Sequence, residues 1–371
     1  MSLSEKQKEV IDALPPFPHG ILNLSPRIGK TYITLQLIKR DKPKKILWVT
    51  PNAELRDNAI PEEFKKWKML TYLRKTDVVC WSSLSKVKGS YDTIILDELQ
   101  CITVANSVNL IKKKLKYKNI IGLTGTLAKH LDKLQIMADL KLGVLESISI
   151  DEAVEQNLIA DYNITVVECE LDNTDKYITA GSATVKFKQT EAEQYSYMSK
   201  RINALMNMRR QVPVFMFLNR MRLIYNSKSK HIVAKQLADK LEGRTLIFTG
   251  GIQQAEQISE HYYHSKTDRT KLNMFLKGRI NTLACVNSGG VGVTYRDVDN
   301  LIICQVDSNK SGGTIQKLAR SLVLQEGYKA NIYIIVASNT VDVTWKDKAL
   351  EELNPDKITH ISYKNYERDN S

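Results

Sequence analysis

Short apolar runs alternate with helix-like stretches through residues 1–150: ILNL at 21–24, KILWV at 45–49, DVVCW at 77–81, TIIL at 93–96 and NIIGLT at 119–124. Strands become uninterrupted apolar runs of this length when helices cover both faces of a parallel sheet. Helix-like segments fill the gaps: TYITLQLIKR after the first run, a stretch through Pro61 and Trp67 after the second, and a lysine-rich helix in IKKKLKYK (111–118) before the last. The same grammar returns late in the chain. TLIFT (245–249), a helix over 252–263, NTLACV (281–286), NLIIC (300–304) and NIYIIV (331–336) follow one another. The fold class is therefore α/β, with two parallel-sheet domains in tandem, residues 1–150 and 236–371. A chain of 371 residues suits two domains at roughly 100–200 residues each. Ligands of such sheets sit beyond the carboxyl ends of the strands, so chemistry is expected in the loops that follow these runs.

Residues 151–235 form a linker and a basic, mainly helical segment. From Gln194 to Ala238 there is no acidic residue, while nine Lys/Arg and five of the nine methionines fall there. The whole chain carries 54 Lys+Arg against 41 Asp+Glu, a net charge of +13, and these 45 residues supply +9 of it. A surplus this size points to a polyanionic partner. Two readings stand side by side. The segment is either an ordinary helical insertion with a solvated basic face, or an element that grips a nucleic-acid backbone through Arg209, Arg210, Arg220 and Arg222. Tyr195, Met198, Ile202, Leu205 and Met206 lie near a helical stripe suited to core packing or docking. No run approaches the ~20 apolar residues of a membrane-spanning helix, and MSLSEKQKEV lacks the apolar core of a signal peptide. The five cysteines are odd in number, widely spaced and without a CxxC pair. That usage is expected of a reducing cytoplasm rather than of a disulfide framework or zinc site.

Two loops carry recognisable chemistry. Ser25-Pro26-Arg27-Ile28-Gly29-Lys30-Thr31 follows a strand and opens a helix. Such a loop aims backbone N–H groups at a phosphate, Lys30 reaches the outer phosphates and the Thr31 hydroxyl suits Mg²⁺. Only the second half of the phosphate-loop pattern is present, since Leu24 stands where its first Gly belongs. Arg27 is open to two readings, a phosphate contact or a solvated loop charge. Asp97-Glu98-Leu99-Gln100 closes the TIIL run. An acidic pair ending a buried strand is costly without a cation or a proton. Asp97 suits a Mg²⁺ ligand, and Glu98 suits the group that orients and deprotonates water. A helix start is the plain alternative for the pair.

With these loops, the chain resembles the superfamily 2 helicases and translocases over most of its length. The closest flavour is that of Swi/Snf-type translocases and restriction-enzyme motors, in the compact form many phages encode. Leu3-Ser4-Glu5-Lys6-Gln7 resembles the upstream segment whose Gln reads adenine. LWVTPNAELRDNAIPEEFKKW (47–67) is similar to motif Ia, which implies backbone contacts from Thr50, Pro51, Asn52 and Arg56, with Ser82 beyond the next strand. DELQ resembles motif II, with Gln100 at the nucleotide, and Leu123-Thr124-Gly125-Thr126 resembles motif III. IDEAVEQNLIADY (150–162) is similar to the segment that links the two motor domains. Leu246–Gly250 resembles motif IV, with Thr249 and Gly250 toward nucleic acid. Asn287–Val293 resembles motif V, with Ser288 and Gly289 toward nucleic acid and Gly292 toward the nucleotide. Gln316-Lys317-Leu318-Ala319-Arg320 resembles motif VI. The resemblance implies two RecA-like domains with ATP and Mg²⁺ bound in the cleft between them. It also implies a catalytic set of Lys30, Glu98, Gln316 and Arg320.

The motif VI stretch departs from its family pattern. Ala319 replaces a Gly, and Val323 stands where a second Arg is usual. Such an arginine is worth about 10³–10⁵ in rate. Arg320 therefore either acts alone in a slow ATPase, or hydrolysis is impaired and the chain is an ATP-gated nucleic-acid-binding adaptor. The expected activity is nucleic-acid-stimulated ATP hydrolysis that drives translocation, unwinding or branch remodelling of DNA, with an RNA helicase as the alternative. The resemblance further implies a bacterial host cytosol and partners in phage recombination or replication.

Overall fold

The computed structural model describes residues 2–112, 114–127, 130–181, 186–286, 295, 297–307, 313–324 and 328–364. The candidate residues Ser288, Gly289 and Gly292 lie outside that set.

The apolar runs of the first block pair as a six-stranded sheet: β1 (Gly20–Leu24), β2 (Ile46–Thr50), β3 (Thr76–Cys80), β4 (Gly89–Asp97), β5 (Leu115–Thr124) and β6 (Val144–Ile148), in the order β3-β2-β4-β5-β1-β6. Its ladders are parallel. Ile21, Leu47, Ile94, Leu96 and Ile120 are fully buried in one cluster of its core, as expected of strands covered on both faces. The register sets the strand ends level: Asn23 lies opposite Thr124, Asp97 opposite Leu123 and Val49 opposite Leu96. The loops after β1, β2, β4 and β5 therefore leave from one edge.

The second sheet contains β7 (Asp161–Cys169), β10 (Thr245–Thr249), β11 (Tyr262–Tyr263), β12 (Thr282–Val286), β13 (Asn300–Ile303), β14 (Lys329–Ala337) and β15 (Ile358–Ser362), in the order β11-β12-β10-β13-β14-β7-β15. A separate antiparallel pair, β8 (Ile178–Gly181) and β9 (Lys186–Gln189), lies between β7 and β10 in sequence. The two-sheet α/β architecture expected from the apolar runs is thus present.

Two compact units result. The first takes Met1–Asp161 together with the described residues of Asn309–Tyr328, and the second begins at Tyr162. Three Ser/Thr-x-x-Glu capping boxes mark helix starts, at Ser2/Glu5, Ser149/Glu152 and Thr190/Glu193. They open the helices Leu3–Ala13, Ile150–Glu155 and Glu191–Asn207.

Two local expectations need correction. The lysine run is not a helix through 118. The preceding helix stops at Ile111, and Leu115–Lys118 starts β5. Leu115 faces inward while Lys116 and Lys118 face out, a two-residue period that suits a strand. Lys118 pairs with Asp92 of β4 at 2.7 Å. The helix expected over 252–263 ends at Ile258. Tyr262 and Tyr263 instead pair with Ala284 and Cys285 as an edge strand.

Among the described residues no helix is long and apolar enough to cross a membrane. In the second unit, a cavity of about 1320 Å³ lies among Cys169, Asp172, Tyr195, Lys228 and Thr340. No residue of the phosphate-type loop lines it.

Candidate functional site

The loop after β1 is built around glycine. Gly29 has φ +87°, a left-handed conformation, and a Cβ there would collide with the Gln7 side-chain amide. Only glycine meets both demands without strain. The helix Lys30–Asp41 starts at that point. Gln7 Nε2 donates to the Ile28 carbonyl at 2.8 Å. The helix carrying Gln7 is held in turn by Arg40, whose guanidinium donates to the carbonyls of Ile11, Leu14 and Pro15. Lys30 Nζ folds back to the Leu24 carbonyl at 3.0 Å. Thr31 opens the helix and is partly exposed.

Asp97 and Glu98 sit at the end of β4, with β5 between them and β1. Glu98 has φ +50°, a strained conformation for a residue with a side chain. Trp81 Nε1 donates to the Asp97 carbonyl at 2.8 Å, and the Glu98 N–H donates to Asp97 Oδ1 at 3.1 Å. Gln100 Nε2 donates to Glu98 Oε2 at 2.6 Å. Gln100 Oε1 accepts from the Thr124 hydroxyl at 2.8 Å, and Thr124 Oγ1 also accepts from the Thr126 N–H at 3.2 Å. One chain of hydrogen bonds thus runs from Glu98 through Gln100 to the loop after β5. Next to it, a Cβ at Gly125 would meet Pro26 Cδ at 3.2 Å, so that loop lies against the loop after β1.

Lys30, Asp97 and Glu98 form a partly buried cluster of mixed charge. Burial lowers the Lys30 pKa, and the Glu98 and Asp97 carboxylates partly offset the effect. Burial and the Glu98 charge push the Asp97 carboxyl up to about 7, against the pull of Lys30. The Asp97 carboxylate and the Thr31 hydroxyl are hard oxygen donors. Mg²⁺ prefers one or two such protein ligands completed by phosphate and water, so the donor set fits that ion.

The motif VI-like segment belongs to this same unit. Gln316 lies half-buried in the short helix Gly313–Leu318, followed by Arg320. Arg27, at φ +76°, reaches this segment. Its Nε donates to the Ala319 carbonyl and its Nη2 to the Arg320 carbonyl, both at 3.1 Å. Burial and the nearby Arg320 charge lower the Arg27 pKa to about 10. Arg27 is therefore not a solvated loop charge. Sequence reading had no signal for this link, which joins positions 292 and 293 residues apart. It also missed Trp81, whose role depends on where β3 ends.

The nucleic-acid candidates are placed unevenly. Thr50 is fully buried, and its hydroxyl finds no partner among the described residues. Pro51 and Asn52 are half-buried, and Asn52 Oδ1 caps the next turn by accepting from the Leu55 N–H at 3.0 Å. Arg56 lies in the π-helical turn Leu55–Ala59 and is paired with its neighbour Asp57 at 2.7 Å. Ser82 is exposed. In the second unit Thr249 is buried, with its hydroxyl directed at the Cys285 and Gly251 carbonyls. The Gly250 N–H donates to Gln254 at 2.7 Å. Arg209, Arg210 and Arg222 are exposed. Arg220 is half-buried, donates to Ser199 at 3.3 Å and lies over the rings of Tyr195 and Phe217. Two lysines of the acid-free segment are neutralised locally: Lys230 by Asp342 at 2.6 Å, fully buried, and Lys228 by Asp175 at 3.3 Å.

No protein-family model and no curated protein matches the chain. Solved structures do. An ATP-dependent Type ISP restriction-modification enzyme, LlaBIII, bound to DNA, superposes with a TM-score of 0.62 at 11% identity, over 99% of this chain and 32% of that one. The Hef helicase domain of Pyrococcus furiosus matches with a TM-score of 0.53 at 13% identity, over 93% of this chain and 96% of that one. Dbp5 of S. cerevisiae bound to RNA and ADP BeF3 matches with a TM-score of 0.58 at 10% identity, over 98% and 91%. The chain thus shares the tandem RecA-like α/β fold of these solved structures, and it spans about a third of the restriction enzyme's length.

Proposed function

We propose that this chain is a nucleic-acid-stimulated ATPase that works on duplex or branched DNA as a translocase or helicase. One observation carries the reading. Lys30, Asp97, Glu98 and the Gln100–Thr124 bond gather at the carboxyl edge of the first sheet, beside a loop that turns through a left-handed Gly29. Lys30 and the N–H groups after Gly29 hold the phosphates. Gln100, bonded to Glu98, keeps that carboxylate oriented toward an attacking water. Arg27 clamps the backbone that carries Arg320, so that Arg320 is presented to the terminal phosphate. Asp97 and Thr31 would hold Mg²⁺, which when bound neutralises charge on the phosphates. Gln316 lies one turn before Arg320 and completes the polar set. Thr50, Pro51, Asn52, Arg56, Ser82, Thr249 and Gly250 are proposed backbone contacts, joined by Arg209, Arg210, Arg220 and Arg222 on the helical segment. The five cysteines form no disulfide among the described residues, which is consistent with a reducing cytoplasm. The resemblance implies partners in phage recombination or replication.

Phosphate release measured with no nucleic acid, single-stranded DNA, duplex DNA, forked DNA and RNA tests the reading. DNA, duplex or forked above all, is expected to raise turnover. Stimulation by RNA alone favours the RNA helicase, a reading kept in play by the RNA-bound Dbp5 neighbour. Binding without hydrolysis on any of them favours the ATP-gated adaptor, which the Val323 position motivates.

A further inference from the structure

The basic segment folds as a hairpin of two helices, Glu191–Asn207 and Val214–Tyr225, joined by residues 208–213. Its base is anchored: Ile224 and Tyr225 are buried beside Leu171 and Ala337, with Tyr195 and Trp345 packed against them. Toward the joint the packing gives out. Met206, Met208, Val214 and Phe215 are 57%, 64%, 69% and 61% exposed. The turn is closed by backbone bonds from the Arg209 N–H to the Met206 carbonyl and from the Arg210 N–H to the Leu205 carbonyl. Exposed Met, Val and Phe side chains at the turn of a two-helix hairpin mark an interaction surface rather than an ordinary loop tip.

The charge around this tip identifies its occupant. Between Gln194 and Ala238 there is no carboxylate, and the hairpin's cations are five arginines and one lysine. Arg201, Arg209, Arg210 and Arg222 are exposed, and no ion pair ties them among the described residues. Arginine offers phosphate a bidentate fork and stacks on flat rings. Arg201 already lies over the Tyr197 ring and Arg220 over Tyr195 and Phe217. A second copy would bring the same cations face to face, because a two-fold interface pairs a patch with itself. A nucleic acid with unpaired nucleotides offers both chemistries that the tip lacks: phosphates for the arginines and bare bases for the apolar side chains.

We propose that the hairpin tip is a base-stacking wedge for unpaired nucleotides, with Phe215 and Met208 against bases and Arg209 and Arg210 on the flanking phosphates. The inference deepens the reading of the chain as a nucleic-acid-stimulated ATPase and rests on it. Stacking tolerates any base, so the wedge favours forks and single strands over blunt duplex without reading sequence.

Fluorescence anisotropy with the full chain tests it on single-stranded, forked and blunt duplex oligonucleotides across a salt series. In the Phe215→Ala/Met208→Ala variant, affinity for single-stranded and forked DNA is expected to fall about 10-fold or more. Duplex affinity and the salt slope stay at the wild-type values, and so does the melting temperature, because both side chains are exposed. Arg209→Gln/Arg210→Gln flattens the salt slope on all three substrates. In Phe215→Trp, indole emission is quenched by single-stranded DNA and not by blunt duplex, a signal that a structural role does not produce. Wild-type affinity for single-stranded and forked DNA in Phe215→Ala/Met208→Ala, with unquenched Phe215→Trp, overturns the wedge alone. Wild-type protein that binds no oligonucleotide overturns the nucleic-acid reading as well. Two results would reassign the surface and overturn the wedge: binding to phosphatidylserine–phosphatidylcholine vesicles lost in the apolar variant, or a wild-type dimer that the variant converts to monomer, each with DNA binding unchanged.

Discussion

At the carboxyl edge of the first sheet, polar groups are committed to one another. Lys30 holds the Leu24 carbonyl, Gln100 joins Glu98 to Thr124, and Arg27 grips the carbonyls of Ala319 and Arg320. On the helical hairpin Arg209, Arg210 and Arg222 stand exposed without an ion pair among the described residues. The first arrangement fixes a single geometry and holds charges in a poorly solvated place, as the proposed chemistry on one phosphate requires. The second leaves exposed cations in water, where any run of phosphates would satisfy them. Position and solvation, more than residue type, separate the two roles.

The sharpest way to break this contrast is to loosen the committed side. Arg320→Ala is expected to lower stimulated turnover by about 10³-fold or more. If Arg27 acts by holding Arg320, Arg27→Ala causes a large loss alone and little further loss in the Arg320→Ala background. Such non-additivity is the mark of residues acting as a unit. Arg27→Lys keeps the charge but not the two-carbonyl grip, so it is expected to resemble Arg27→Ala in kcat. Additive losses in the double variant would separate the two arginines.

Within the acid-free segment one cation belongs on the committed side. Lys230→Met leaves the buried Asp342 carboxylate without its partner, a change that costs about 3–5 kcal/mol. Denaturant unfolding is expected to report this as lost stability. An exposed cation removed from the tip gives no such loss. Conversely, neutralising Arg209, Arg210, Arg220 and Arg222 together is expected to flatten log Kd against log salt on duplex DNA. The change is about 0.9 for each phosphate contact removed, and melting is little affected. An unchanged slope would return the hairpin to a solvated face.

How much of this was legible in sequence follows the same division. The apolar runs set the sheet strands, because burial on both faces leaves a plain signature. Gly29-Lys30-Thr31 and Asp97-Glu98 could be read because phosphate loops and strand-end carboxylates carry local patterns. β6, β7 and β15 were not assigned: Val144–Ile148 and Ile358–Ser362 are short and partly exposed, and Asp161–Cys169 mixes polar with apolar residues. The grip of Arg27 on Arg320 and the Lys230–Asp342 pair join residues far apart in sequence, and no local pattern announces them. The hairpin's basic stretch was visible, but the stripe of Tyr195, Met198, Ile202, Leu205 and Met206 did not reveal where packing ends. Ile202 is buried and Met206 is 57% exposed.

A smaller effect concerns Asp97. Its folded pKa near 7 stands above the ordinary value of 3.8, so the folded chain holds this proton more tightly than the unfolded chain. The resulting stability is present at acid pH and is lost as pH rises between those two values. Asp97→Asn removes that dependence. Its nucleotide-free melting temperature at pH 8 is expected to exceed the wild type's, with a flatter trend between pH 4 and 7. A lower melting temperature at pH 8 would contradict the strain assigned to the site.

The central claim is that the edge assembled from Lys30, Asp97 and Glu98 hydrolyses ATP when the chain holds nucleic acid. Steady-state phosphate release at saturating duplex DNA, wild type against Glu98→Gln, tests it most directly. The expected result is stimulated turnover in the wild type and a loss of about 10²–10⁴-fold in the variant, with nucleotide still bound. Equal turnover in Glu98→Gln would contradict it.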